Sequence, residues 1–199
     1  MNNTQQIIKK LFNIWLHTAW KLIEFEKTFP ENEEIEMTRE ELLPDFFDNL
    51  NELYWNYFFV TIAKLLDPHN QGQNKNLSLF TLPELLKSEK KIEWKIVSKK
   101  VQNIKEKYKS IIVYRSKKLA HFDFDYNTGK KEFNTSTHIN EINDFFTEML
   151  EVINLTLKIL EIPEYSPGIM RPADYKGADE LNKILADYKK NTMPCKKNC

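Results

Sequence analysis

The sequence predicts an all-α protein, a four- to five-helix bundle with a C-terminal extension. Three observations carry that prediction. Apolar residues recur at helical spacing along nearly the whole chain. Only four glycines occur in 199 residues, too few for the turns of an all-β protein. Finally, 41% of residues are hydrophobic and 13% aromatic, enough to fill a core without disulfides. The scarcity of glycine, with no GxGxxG or GxxxxGKS, also excludes Rossmann and P-loop nucleotide sites.

The first helix is expected over residues 4 to 28, where Ile8, Leu11, Trp15, Leu22 and Phe25 share a face. Pro30 and the acidic run Glu31 to Glu36 read as a loop. Thr38 with Glu41 reads as a capping box. It would open a long helix to Leu66, with Pro44 as an early bend or a late true start. Leu53 to Leu66 is nearly all apolar, which predicts a buried central helix. Asp67-Pro68 ends it. Residues 67 to 77 are a polar loop, and Thr81 with Glu84 caps a short helix through Leu86. Ser88-Glu89 then caps a long helix carrying Ile92, Ile96, Val101, Ile104, Tyr108 and Ile111, to about Ala120. Residues 121 to 135 read as a loop or small hairpin, and Thr137 caps a last long helix to about Leu160. Residues 1–162 are thus one domain. Residues 163–199 are an extension with prolines, a short amphipathic helix near 179–189 and a tail.

Formal charge sums to zero but is segregated. From Glu24 to Glu52 there are eleven acidic residues against Lys27 and Arg39; from Lys87 to Lys118 there are twelve basic residues against three acidic ones. These stretches either pair with each other, within the fold or across a dimer, or the basic one faces phosphates. Lysine outnumbers arginine 26 to 3, so each arginine retained invites inspection. The longest uncharged apolar stretch is about half of what a bilayer requires. No secretory signal opens the chain. The cysteines, Cys195 and Cys199, read as a tail rather than half a zinc site. The expectation is a cytoplasmic protein, outside any membrane, with no metal and no cofactor.

The strongest site candidate is Arg115-Ser-Lys-Lys-Leu-Ala-His121. Arg115 follows Ile111 by four residues and precedes Leu119 by four, so it falls on the apolar side of its helix. A charge there needs a carboxylate or phosphate partner. Asp67 or Asp123 would make a structural ion pair; a phosphate would make a binding site. His121 lies about 120° around a regular helix from Arg115. It is either a helix C-cap, a side chain that bends back past the helix end, or half of a site shared by two chains.

The segment Tyr114-Arg-Ser-Lys-Lys-Leu-Ala-His-Phe-Asp123 resembles the signature of the HEPN superfamily, most closely its abortive-infection type U branch. There an arginine and a histidine, four to six residues apart, end one helix of an α-helical bundle. Ile62-Ala-Lys-Leu-Leu-Asp67, followed by a polar loop and Leu77-Ser78-Leu79 with Leu82, is similar to a second segment of that branch. The resemblance covers about residues 10 to 160. It implies a metal-independent endoribonuclease of a bacterial defence or toxin–antitoxin system, acting as a homodimer on RNA, with an antitoxin protein as a further partner. Arg115 and His121 would be catalytic, Ser116 and Asp123 supporting, and Lys117 and Lys118 would contact RNA. Active members usually carry Asn, Asp or His after the arginine, whereas this chain has Ser116, which cannot carry charge. Some relatives are non-catalytic and bind RNA or a partner protein, and that is the alternative reading.

The chemistry follows from the residue types. RNA carries its own nucleophile, the 2′-OH. Cleavage needs a base for that proton, an acid for the departing 5′-oxygen and a cation for the phosphorane. Histidine serves as base or acid near neutrality, and arginine grips two phosphate oxygens. One chain offers one histidine in the motif, so two chains would supply acid and base together.

Overall fold

A computed structural model describes residues 3–119, 137–166 and 177–192. The all-α prediction holds: the described residues form helices with one minimal hairpin. The chain divides into two units, residues 1–18 with 56–168 and residues 19–55 with 169–199.

The larger unit takes the start of α1 (Asn3–Thr28), the second half of α3 (Pro44–Leu65), α4 (Thr81–Ser88), α5 (Trp94–Lys107), α6 (Lys109–Tyr114) and α7 (Ile139–Ile159). Its core is built from Ile8, Leu11, Phe58, Ile62, Leu82, Val101 and Phe145, all fully buried. Trp15 spends its one polar atom on α7, where Nε1 donates to the Phe146 carbonyl at 2.8 Å. Asn154 on α7 brackets the segment that follows the helix. Its side chain accepts from the Tyr165 N–H at 2.9 Å and donates to the Tyr165 carbonyl at 3.0 Å. Tyr165 in turn stacks on Phe12, with ring centroids 3.9 Å apart.

The smaller unit holds the rest of α1, α2 (Glu33–Leu42), the first half of α3 and α8 (Gly177–Thr192). Helix α8 packs on α2. Its Asn182 donates to the Lys27 carbonyl at 2.8 Å, Asp179 pairs with Lys27, and Lys189 pairs with Glu41 at 2.7 Å.

Several expected boundaries are corrected. The acidic run is not a loop. The Asn32 side chain accepts from the Ile35 N–H at 3.1 Å, and Glu33, Glu34 and Glu36 sit in the first turn, where acids suit the helix dipole. Thr38 is therefore inside α2 and donates back to the Glu34 carbonyl rather than capping anything. Of the two expectations for Pro44, the late true start holds: α2 ends before Leu43, and Pro44 begins α3, at the position where its missing N–H costs nothing. Thr81 starts α4 but accepts from the Ser78 N–H rather than from within the helix. Ser88 ends α4 instead of capping α5, and Ile92 and Ile96, expected on an apolar face, are 75% and 61% exposed. Leu53 is also exposed, so the stretch to Leu66 is not buried all round. The position before α7 is His138, not Thr137. The helix expected to reach Ala120 breaks at Tyr108, and its last described turn is a π turn, Arg115–Leu119.

Candidate functional site

Two chain segments meet at the site, each fixed by its own packing. The first is the end of α3. Ile62, Ala63, Leu65 and Leu66 are buried, and this anchors the helix end. Asp67 follows, and Pro68 prevents another turn. The loop beyond folds back on itself. Residues 70–71 and 74–75 pair as a hairpin whose turn uses Gly72 at φ +61°, a backbone conformation suited to glycine. The Leu79 N–H then donates to the Leu65 carbonyl at 2.8 Å, with Ser78 and Leu79 fully buried. Thr81 organises the loop: its hydroxyl donates to the Asn76 carbonyl and accepts from the Ser78 N–H.

The second segment is α6 with its π turn. Ile111 is buried, and the Tyr114 ring meets Phe59 edge-on at 5.0 Å between centroids. From that fixed point the helix widens into the π turn holding Arg115, Ser116, Lys117 and Lys118. Such turns recur at functional sites because they re-aim side chains within a helix.

Arg115 Nη2 lies 3.5 Å from Asp67 Oδ2, and the two side chains are 29% and 25% exposed. The ion pair joins the two segments that carried the sequence resemblance. Asp67 is one of the two carboxylates expected for Arg115. Lys118 and Lys117 are exposed, and the Lys118 ammonium sits 5.4 Å from the Tyr114 ring. Ser116 is half-buried. His121 and Asp123 lie outside the described residues, as do Cys195, Cys199 and Arg171. The 120° separation of Arg115 and His121 assumed a regular helix, and the helix is not regular from Arg115 to Leu119.

The basic stretch is partly neutralised by acids of α7. Lys100 pairs with Glu151 at 2.9 Å and Lys107 with Glu148. The hydrogen bond to Glu148 holds the Lys107 ammonium well above its ordinary pKa. Lys87, Lys105 and Lys118 lie over Trp94, Phe80 and Tyr114.

His69, one of the scattered histidines in the sequence, is held by the Thr81 hub. Its Nδ1 lies 3.0 Å from both the Asn76 carbonyl and the Thr81 hydroxyl. Among the described residues, no group of three or more His, Cys, Asp or Glu could hold a metal ion. No helix among them is long and apolar enough to cross a membrane.

A protein family described as AbiU2, within the HEPN group, matches residues 4–166. No curated protein and no solved structure matches the chain.

Proposed function

The chain belongs to the HEPN AbiU2 family, an abortive-infection type of HEPN domain, and from that premise we propose that it is a metal-independent endoribonuclease of a bacterial defence or toxin–antitoxin system. The observation that carries this reading is the Arg115–Asp67 pair. A guanidinium at the start of the π turn, about a third exposed and held at 3.5 Å by one carboxylate among the described residues, keeps donors that a phosphate can engage.

In the proposed reaction a neutral histidine accepts the 2′-OH proton while the 2′-oxygen attacks phosphorus. The phosphorane's charge is met by Arg115. A protonated histidine donates to the departing 5′-oxygen, which leaves a cyclic 2′,3′-phosphate and a 5′-hydroxyl. His121 of each of two chains would fill these roles in a homodimer, with Ser116 and Asp123 supporting and Lys117 and Lys118 on the RNA backbone. A stable dimer should bury at least ~1,200 Å². Light scattering at micromolar concentration is expected to report two chains, and a monomer throughout would remove the shared-site mechanism.

A second reading has its own observation. Asp67 already pairs with Arg115, so the pair can serve as a clamp between the ends of α3 and α6 in a non-catalytic domain that binds RNA or a partner protein. Incubation of the purified protein with total RNA and EDTA, beside His121→Ala, separates the two. Cleavage lost in the variant supports the enzyme; binding without cleavage supports the clamp.

A further inference from the structure

A cavity of about 290 Å³ opens where the loop after Asp67 faces α5. Its walls include Pro68, His69, Phe80, Pro83, Gln102 and Lys105. The composition is that of a site for a flat, polar-edged ring. Phe80 and the two prolines give apolar faces, Glu84 adds a carboxylate at the wall, the Gln102 carbonyl can accept while its amide nitrogen donates to Glu106 at 3.3 Å, and Lys105 brings a cation 5.3 Å from the Phe80 ring.

His69 adds an imidazole. Its Nδ1 faces a carbonyl oxygen, which can only accept, and the Thr81 hydroxyl, whose own hydrogen goes to that same carbonyl. A proton on Nδ1 satisfies both contacts, donating to the Asn76 carbonyl. With that tautomer the neutral ring presents Nε2 as an acceptor. An amide, a cation and an imidazole around an aromatic ring match what single-stranded RNA presents when a base is splayed from the strand: a π face, an edge of donors and acceptors, and a phosphate alongside.

We propose that this cavity is a nucleobase subsite, taking one unstacked base of the RNA strand whose phosphate is handled at Arg115. The proposal rests on the ribonuclease reading for its substrate. The link is covalent and short. Pro68 and His69 line the cavity and follow Asp67 directly, and Asp67 holds Arg115, so the proposal assigns the base in the cavity and the phosphate at Arg115 to nearby nucleotides of one strand. Gln102 and Lys105 thereby become specificity residues rather than catalytic ones.

The test is equilibrium binding, which needs no cleavage. The full chain is titrated with each of the four nucleoside 3′-monophosphates to millimolar concentration. Chemical shifts of the His69 ring and the Gln102 side chain are followed by NMR. Expected are shifts at both residues for at least one nucleotide, with affinity lowered about fivefold or more in Gln102→Ala and Lys105→Met. The same variants should lose base preference at the cut, with cleavage falling in step with the lost affinity and what remains still abolished by Arg115→Ala. No shift for any nucleotide, or equal affinity in the variants, overturns the subsite. If cleavage still depends on Arg115 in that case, the ribonuclease reading stands alone. Binding at the cavity in a protein that never cleaves RNA has the opposite meaning: the subsite stands and the ribonuclease reading falls.

Discussion

Arg39 and Arg115 are two of three arginines in a chain with 26 lysines, and each unit holds one of them. Arg39, in the smaller unit, is 6% exposed. It donates to the Thr28 carbonyl at 2.8 Å and the Ile35 carbonyl at 3.3 Å, and lies over the rings of Phe29 and Phe47. Burial lowers its pKa, against the opposing pull of Glu36 and Glu40. Arg115, in the larger unit, has one carboxylate partner among the described residues and a partly open side chain. The first arginine is consumed by the fold, stitching α1 to α2 across the Pro30 turn. The second is held in position and still accessible. Retention of an arginine in a lysine-rich chain therefore means that planar, multidentate bonding is needed, and burial decides whether the fold or a ligand uses it.

The largest expected effect tests that difference at Arg115. Arg115→Ala and His121→Ala should each cut RNA cleavage by at least ~100-fold, since one loses charge stabilisation and the other proton transfer. The melting temperature of Arg115→Ala should barely move, because a partly exposed pair contributes ~0–1 kcal/mol. A fall in activity fully explained by unfolding would make Arg115 another Arg39.

Arg39→Ala should do the reverse. Loss of two hydrogen bonds and two ring contacts from a buried site should cost ~2–4 kcal/mol by denaturant titration. Cleavage per folded molecule should be unchanged. A specific loss of cleavage at full stability would break the comparison from the other side.

Charge reversal at Lys117 and Lys118 should weaken binding of all RNAs by a similar factor, about tenfold or less at physiological salt. It should also flatten the salt dependence, as loss of phosphate contacts requires. The same reversal at Lys100 and Lys107, already paired with Glu151 and Glu148, should change RNA affinity less. Equal effects at both pairs would show that the whole helix face, not the π turn, tracks the backbone.

The smallest effect concerns pH. Burial raises the pKa of the Tyr108 hydroxyl, so the folded state holds this proton more tightly than the unfolded chain. Its contribution to stability is complete below the unfolded value near ~10 and is lost as pH rises through the folded value. Tyr108→Phe should flatten part of the stability loss above that point in chemical denaturation. An unchanged alkaline profile would assign the loss to other groups.

The helical class and the long helices were legible because their signal is periodic: Ile8, Leu11 and Trp15 announce a buried face without help from distant residues. What was not legible depended on competition between local signals. Thr38 reads as a cap from its spacing to Glu41, but Thr38 and Arg39 are buried inside α2, and Asn32 supplies the cap. Ile92 and Ile96 have helical spacing but no neighbour to cover them. The Arg115–Asp67 pair was visible as one of two options, since both residues end helices next to quoted motifs. The π turn has no residue signature. The cavity draws on His69, Phe80 and Lys105, which lie on separate elements and share no spacing.

The most direct measurement of the account is the chemical identity of the ends it leaves on RNA. Purified protein is incubated with a defined oligoribonucleotide in EDTA, and the products are weighed by mass spectrometry. The account predicts cyclic 2′,3′-phosphate and 5′-hydroxyl ends, and no cut where the nucleotide bears a 2′-hydrogen. Uncut RNA, cleavage that EDTA abolishes, or 3′-hydroxyl ends would contradict it.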